Sequence, residues 1–124
     1  MIFVEGMNLG DLLKFEAPNL YSRDQVTVAP NQTLVLGQVV GALTASGQIV
    51  ALNPAAADGS EQAIGIVLAA ITTLATASPN GLLLAREAAV SDHALVWPAA
   101  ITPAQQAAAI AQLKAHGILV REGR

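Results

Sequence analysis

The chain has 124 residues, a net charge of −3 and no cysteine. It is long enough to form one domain with its own core, while disulfides and zinc–thiolate sites are excluded. Charged residues make up 12% of the chain and apolar residues 53%, and that charged share is about half the usual one. Because a lone domain keeps a charged surface for solubility, we expect a second copy or a partner to cover part of this one.

The charges that are present avoid one long segment. From Gln25 to Ala85 the charged side chains are Asp58 and Glu61. Such a segment offers few groups for acid–base chemistry, for a metal or for a phosphate. The Lys and Arg residues are spread along the chain, and aromatic residues are few, so no nucleic-acid footprint is predicted. The sequence favours a protein that functions by burying surface against itself and against further copies or partners.

Residues 1–20 form a separate, apolar and irregular region. Neither a strand period nor a helix period is sustained there, and the start lacks the features of a signal peptide. Two interpretations stay open: this region packs on its own domain, or it is an arm that contacts a neighbour. The apolar candidates for such a contact are Ile2, Phe3, Val4, Leu9, Leu12, Leu13 and Phe15.

From residue 26 the pattern becomes β. β-Branched residues and spaced glycines indicate a bent, tightly packed ribbon. We predict strands at 26–28, 34–36, 37–43, 48–52, 64–71, 82–90 and 118–120, turns at 45–47 and 78–81, and a polar loop at 53–62. The charge-free run 62–85 is better explained by two buried strands around the 78–81 turn than by a membrane helix, because Ser-Pro-Asn-Gly interrupts it.

One helix is predicted near the C-terminus. Thr102 is a suitable N-cap, Pro103 suits the first helical position, and Gly117 suits the left-handed C-terminal position. Residues 104–116 between them are mostly strong helix formers. The predicted apolar face is narrow and consists of Ala107, Ile110, Leu113 and Ala111.

The chemical motifs are weak. Ser91, Asp92 and His93 are adjacent in the chain, and neighbouring side chains diverge too much for a nucleophilic triad. No enzyme activity, cofactor or metal is predicted. Trp97, followed by Pro98, has two interpretations: an anchor that ends a strand in the core, or an anchor at an interface.

The order of these motifs resembles the lambda D-type family of tailed-phage head decoration proteins. The resemblance covers about residues 20–121. Its segments are YSRDQVTV at 21–28, GQVVG at 37–41, TASG at 44–47, ADG at 57–59, AIGI at 63–66, ALVWP at 94–98 and ITPAQQAAAIAQLKAHGI at 101–118.

The resemblance implies a mainly β, β-clip-like fold (a bent ribbon or partial barrel) with one short C-terminal α-helix. It also implies a homotrimer on the outside of the expanded phage head, made in the bacterial cytoplasm, that stabilises the shell at threefold sites against DNA pressure. Residues 1–20 would be an arm that binds the major capsid protein, and residues 21–124 the decoration domain. The alternative is a small tail or baseplate adaptor.

Overall fold

The computed structural model describes residues 12–16, 22–99 and 101–121. These residues form ten strands, one α-helix and a short 3-10 helix at Asp92–Ala94. The elements are β1 Leu13–Glu16, β2 Arg23–Val28, β3 Thr33–Leu34, β4 Val39–Ala42, β5 Ile49–Ala51, β6 Gly65–Val67, β7 Ile71–Thr72, β8 Ser78–Leu84, β9 Ala88–Ser91, α1 Pro103–Ala115 and β10 Ile118–Arg121.

The strands form a closed barrel with two smaller sheets. The barrel has the order β2-β5-β4-β6-β8 and returns to β2. Strands β3 and β7 form a two-stranded ribbon, and β1, β9 and β10 form a third sheet, in which β9 is central. A mainly β fold with one helix near its C-terminus is therefore confirmed for the described residues, and the barrel is closed rather than partial.

Two apolar clusters fill this arrangement. The larger lies between the barrel, α1 and the β1-β9-β10 sheet, and it includes the fully buried Leu12, Val39, Ile66, Leu84 and Leu113. The smaller lies in the barrel on the side of the β3–β7 ribbon, and it is formed by Val28, Leu34, Val40, Ile49, Val67 and Leu83, with Ile71 packed against it. The ribbon and the β1 sheet thus belong to different clusters.

The strand predicted at 64–71 is interrupted. Its first part is β6, which pairs with β4 and β8 inside the barrel, and its last part is β7, which pairs with β3 outside it. Ala69 and Ala70 between them are exposed. The prediction of one fully buried strand was wrong because the chain leaves the barrel at Ala69 and Ala70. The run of apolar residues continues through this point, so the sequence does not show where the strand ends.

The turn predicted at 78–81 is the first part of strand β8. Val26 pairs with Gly81 and Val28 with Ser78, so β8 has one extra residue there and forms a bulge at Pro79 and Asn80. The missing N–H of Pro79 removes no regular ladder bond in this bulge, and its carbonyl accepts a 3.0 Å hydrogen bond from Gln25 Nε2. The turn residues are therefore accommodated within the strand, as a bulge.

The strand predicted at 82–90 is likewise divided, between β8 and β9. Glu87 adopts a positive φ of 52°, which turns the chain from the barrel to the third sheet. Its carbonyl accepts a 2.9 Å hydrogen bond from the buried Ser22 hydroxyl. A glutamate gives no sequence signal for that backbone conformation.

Helix α1 begins and ends as predicted. Thr102 and Gln105 form a reciprocal capping box, Pro103 occupies the first turn, and Gly117 has a φ of 83°. The packed face differs from the predicted one: Ala109 and Leu113 are buried, whereas Ala107 and Ala111 are exposed. The face is displaced because Gln112 is directed to the barrel, where its Oε1 accepts a 2.7 Å bond from the Ala63 N–H.

Replacing Thr102 by alanine should lower the free energy of unfolding by about 1 kcal/mol. The substitution removes the acceptor of the 3.1 Å bond from the Gln105 N–H. Serine at the same position keeps that acceptor and should restore most of the loss. Urea unfolding of the three proteins measures the difference, and equal midpoints for the alanine variant and the wild type would contradict the capping role.

Candidate functional site

The adjacent Ser91, Asp92 and His93 do not form a catalytic arrangement. Ser91 is 4% exposed in β9. His93 Nε2 lies 3.5 Å from Asp92 Oδ1, and both of these side chains are well exposed. The geometry pairs the imidazole with the neighbouring carboxylate while the hydroxyl is buried, so an activated and accessible nucleophile is not built here.

Asp58 and Glu61 stabilise their own loop. Asp58 Oδ1 accepts bonds from the Ser60 N–H at 3.1 Å and the Ser60 hydroxyl at 2.5 Å. Glu61 Oε1 accepts from the Gly59 N–H at 2.9 Å. Among the described residues, no group of three His, Cys, Asp or Glu side chains is placed to hold a metal ion. The two carboxylates thus serve the turn between Asn53 and Ala63.

The stability of this loop should depend on pH through Asp58. The Ser60 hydroxyl and then the Ser60 N–H hold the pKa of Asp58 below its ordinary value of 3.8. Because the folded-state pKa is the lower one, the stabilisation is present above the unfolded pKa and is lost as pH falls through the folded one. From about pH 6 to about pH 2.5, Asp58→Asn should lose less free energy of unfolding than the wild type; equal losses would contradict this role.

The charge-poor segment is bounded by an ion pair. Arg86 Nη2 lies 2.5 Å from Asp24 Oδ2, and these residues stand just outside the segment that runs from Gln25 to Ala85. The pair joins the start of β2 to the chain just after β8, and the other ends of both strands carry no charged side chain.

The uncharged end carries an apolar surface that was not predicted from the sequence. We define the ribbon surface as the exposed residues of the β3–β7 ribbon and its flanks: Thr33, Val35, Ala69, Ala70, Thr72, Leu74, Ala75 and Thr76. Leu74 is 76% exposed, far more than any other large apolar side chain among the described residues. Its signal in the sequence is faint: a leucine in a run of Ala and Thr without a charge.

A groove lies beside the ribbon surface. Its volume is about 860 Å³, and its lining includes Pro30, Leu43, Val50, Leu52, Pro98 and Ala99. Asp58 is the charged residue among the described residues that line it. Asn31, Gln32, Gln48, Asn53 and Ser60 also line the groove, and apolar atoms still form the larger part of its wall. Pro98, predicted together with Trp97 to be a structural or interface anchor, is part of that wall.

Trp97 lies next to that wall and is half-buried. It packs against the larger apolar cluster. Val96 bridges to Gln38, and its carbonyl accepts from the Val39 N–H at 3.2 Å. Trp97 thus contacts the core with one part of its side chain and reaches the surface with another, a position that serves both interpretations made from the sequence.

The candidate arm residues divide into two groups. Leu12 is fully buried in the larger cluster, Leu13 is half-buried against it, and Phe15 pairs with Ala89 through the backbone of β1. Ile2, Phe3, Val4 and Leu9 lie outside the described residues. Residues 12–16 are therefore held to the domain by the pairing of β1 with β9 and by the burial of Leu12.

Comparison with known proteins identifies one family. A family model described as bacteriophage lambda head decoration protein D matches residues 2–118. No curated protein matches the chain. Among the helices of the described residues, none is long and apolar enough to cross a membrane.

Proposed function

The chain belongs to the bacteriophage lambda head decoration protein D family, and from this premise we propose that it is a cement protein that binds threefold sites on the outside of the expanded head. The family is structural rather than enzymatic and its place is the phage capsid. The match over residues 2–118 is the observation that carries the proposal. The partner is the major capsid protein, and the assembled form is a homotrimer of β-clip-like subunits made in the host cytoplasm.

The surface chemistry supports an assembly role. A permanent interface is large and depleted of charge at its centre. Here an uncharged ribbon surface and a mostly apolar groove lie on one chain. Contiguous apolar surface exposed to water is rare on a monomer, whereas a shell-bound trimer buries such surface between its subunits.

The N-terminal region provides the contact to the shell. The resemblance implies an arm over residues 1–20, and the burial of Leu12 in the larger apolar cluster supports a capsid contact made by the residues that precede it. Strand β1 pairs with β9 and ties the arm to the domain, so a load on the arm is transmitted to the sheet. The apolar residues Ile2, Phe3, Val4 and Leu9 contact the capsid protein.

The position of the protein on virions tests this function against the tail or baseplate alternative. Antibody-labelled virions examined by electron microscopy should carry the label over the head. An averaged reconstruction of the head should place the density at its threefold and quasi-threefold positions. Label confined to the tail would favour an adaptor and overturn the proposal.

A further inference from the structure

The bulge in β8 places the side chain of Asn80 in solvent. Pro79 and Asn80 form this bulge, and the next residue, Gly81, returns to the ladder by pairing with Val26. Asn80 is exposed, and its N–H donates to the Ser78 hydroxyl at 3.3 Å. A bulged residue has no regular partner in the ladder, so its peptide groups rotate at a lower cost than those of paired residues.

Packing against β2 requires a glycine after Asn80. A Cβ at Gly81 would lie 2.7 Å from Val28 Cγ2 and 3.0 Å from Val26 Cγ2. Without a side chain, Gly81 leaves its backbone nitrogen open to the side chain that precedes it. Among the asparagines of the chain, Asn80 alone is followed by glycine. The fold thus places an exposed amide next to an unshielded backbone nitrogen.

We propose that Asn80 is a site of spontaneous deamidation in which the backbone nitrogen of Gly81 is the nucleophile. This nitrogen attacks Asn80 Cγ, a C–N bond forms, and the side-chain amide leaves as ammonia together with the proton that the Gly81 nitrogen loses. Water then opens the cyclic imide at either carbonyl and gives aspartate or isoaspartate. One water is consumed and one ammonia is released, so the reaction needs no oxidant or other co-reactant.

The other asparagines among the described residues lack this combination. Asn53 precedes Pro54, whose nitrogen has no proton to lose. Asn31 is exposed, but the nitrogen that follows it belongs to Gln32 and donates to the Thr73 hydroxyl at 2.9 Å. That hydrogen bond and the Gln32 side chain both hinder attack on the Asn31 amide. These two asparagines are therefore internal controls for Asn80.

The pairing of β8 with β2 limits the rate of this reaction. Ring closure requires rotation of the peptide group between Asn80 and Gly81, and this rotation breaks the pairing of Gly81 with Val26. The 3.0 Å bond from Gln25 Nε2 to the Pro79 carbonyl further restrains the bulge. Deamidation therefore takes place when this part of β8 opens locally, and its rate reports that opening.

Mass spectrometry of the incubated full-length chain tests the site. The protein is kept at mildly alkaline pH, and samples taken over time are separated by ion exchange and digested. We expect an acidic form, one charge more negative than the original net charge of −3, with the amide converted to an acid at position 80. Asn80→Gln, which would have to close a larger ring, should not give this form. Absence of conversion at Asn80, or equal conversion at Asn31 and Asn53, would overturn the proposal.

Loosening the bulge gives an independent measurement. Gln25→Ala removes the hydrogen bond to the Pro79 carbonyl and should raise the rate of conversion at Asn80 about twofold or more. Gln62→Ala, which changes an exposed glutamine outside β2 and β8, should leave that rate unchanged. In concentrated urea the wild type and Gln25→Ala should convert at one common, higher rate. Equal rates for the folded and the unfolded wild type would overturn the control of this site by β8.

Discussion

Replacing Gly59 by alanine should lower the free energy of unfolding by about 3–5 kcal/mol. Gly59 has a φ of +105°, and a Cβ there would lie 2.4 Å from the Ala42 carbonyl oxygen and 2.8 Å from the Thr44 nitrogen. Backbone atoms cannot rotate away as the end of a side chain can. The loop would have to withdraw from the barrel, which would break the 2.8 Å bond from the Thr44 N–H to the Asp58 carbonyl.

Gly47→Ala is the matched control for the close approach. Gly47 also has a positive φ, +74°, but an added Cβ would meet no atom within 4 Å. This variant should lose only the cost of the left-handed conformation, about 1–2 kcal/mol. Urea unfolding of both variants measures the difference. Equal losses would show that the Gly59 loop moves freely and would contradict the packing described here.

Shortening the N-terminus should produce two different results. Deletion of residues 1–16 removes β1 and the fully buried Leu12. The free energy of unfolding should fall by about 2–5 kcal/mol or more, since truncation of one buried leucine alone has that effect. Deletion of residues 1–10 keeps both features, so the urea midpoint should stay close to that of the wild type. Its binding to heads should fall about tenfold or more, because each apolar side chain no longer buried on the shell is worth about 1.5 kcal/mol.

A full-length variant controls for the change in length. Combined replacement of Ile2, Phe3 and Val4 by serine should weaken head binding as the deletion of residues 1–10 does and leave the urea midpoint unchanged. Wild-type head binding by both proteins would contradict an apolar arm. A strongly destabilised protein after deletion of residues 1–10 would show instead that this segment serves its own domain.

The class of fold and the helix were predictable because their signals are local. β-Branched residues and spaced glycines indicate strands, and the Thr102, Pro103 and Gly117 signals fix both ends of α1. Barrel closure was not predictable, because it depends on pairing between β2 and β8, far apart in the chain. The same holds for Pro79, because its place in β8 depends on how residues 78–81 pair with the distant strand β2 and form a bulge there.

The candidate site was predictable only in part. The low charge of residues 25–85 predicted apolar contact surfaces. It did not show which of these apolar residues are buried in the core and which are exposed on the ribbon surface. Leu34 and Leu74 look alike in the sequence, yet the first is 1% exposed and the second 76%. Leu74 is exposed because its neighbour Thr73 is directed inward, where the Thr73 hydroxyl donates to the Ala29 carbonyl. Ala29 is far from Thr73 in the sequence, so no local pattern predicts this contact.

Retention of DNA by heated phage heads tests the cement role most directly. DNA-filled heads without this protein are divided into three samples, which receive the wild-type chain, the chain lacking residues 1–10, or buffer. The samples are then heated, or treated with a chelator, and the released DNA is measured. Heads with the wild-type chain should retain their DNA under conditions at which the other two samples release it. Equal release from all three samples would contradict a stabilising role on the capsid.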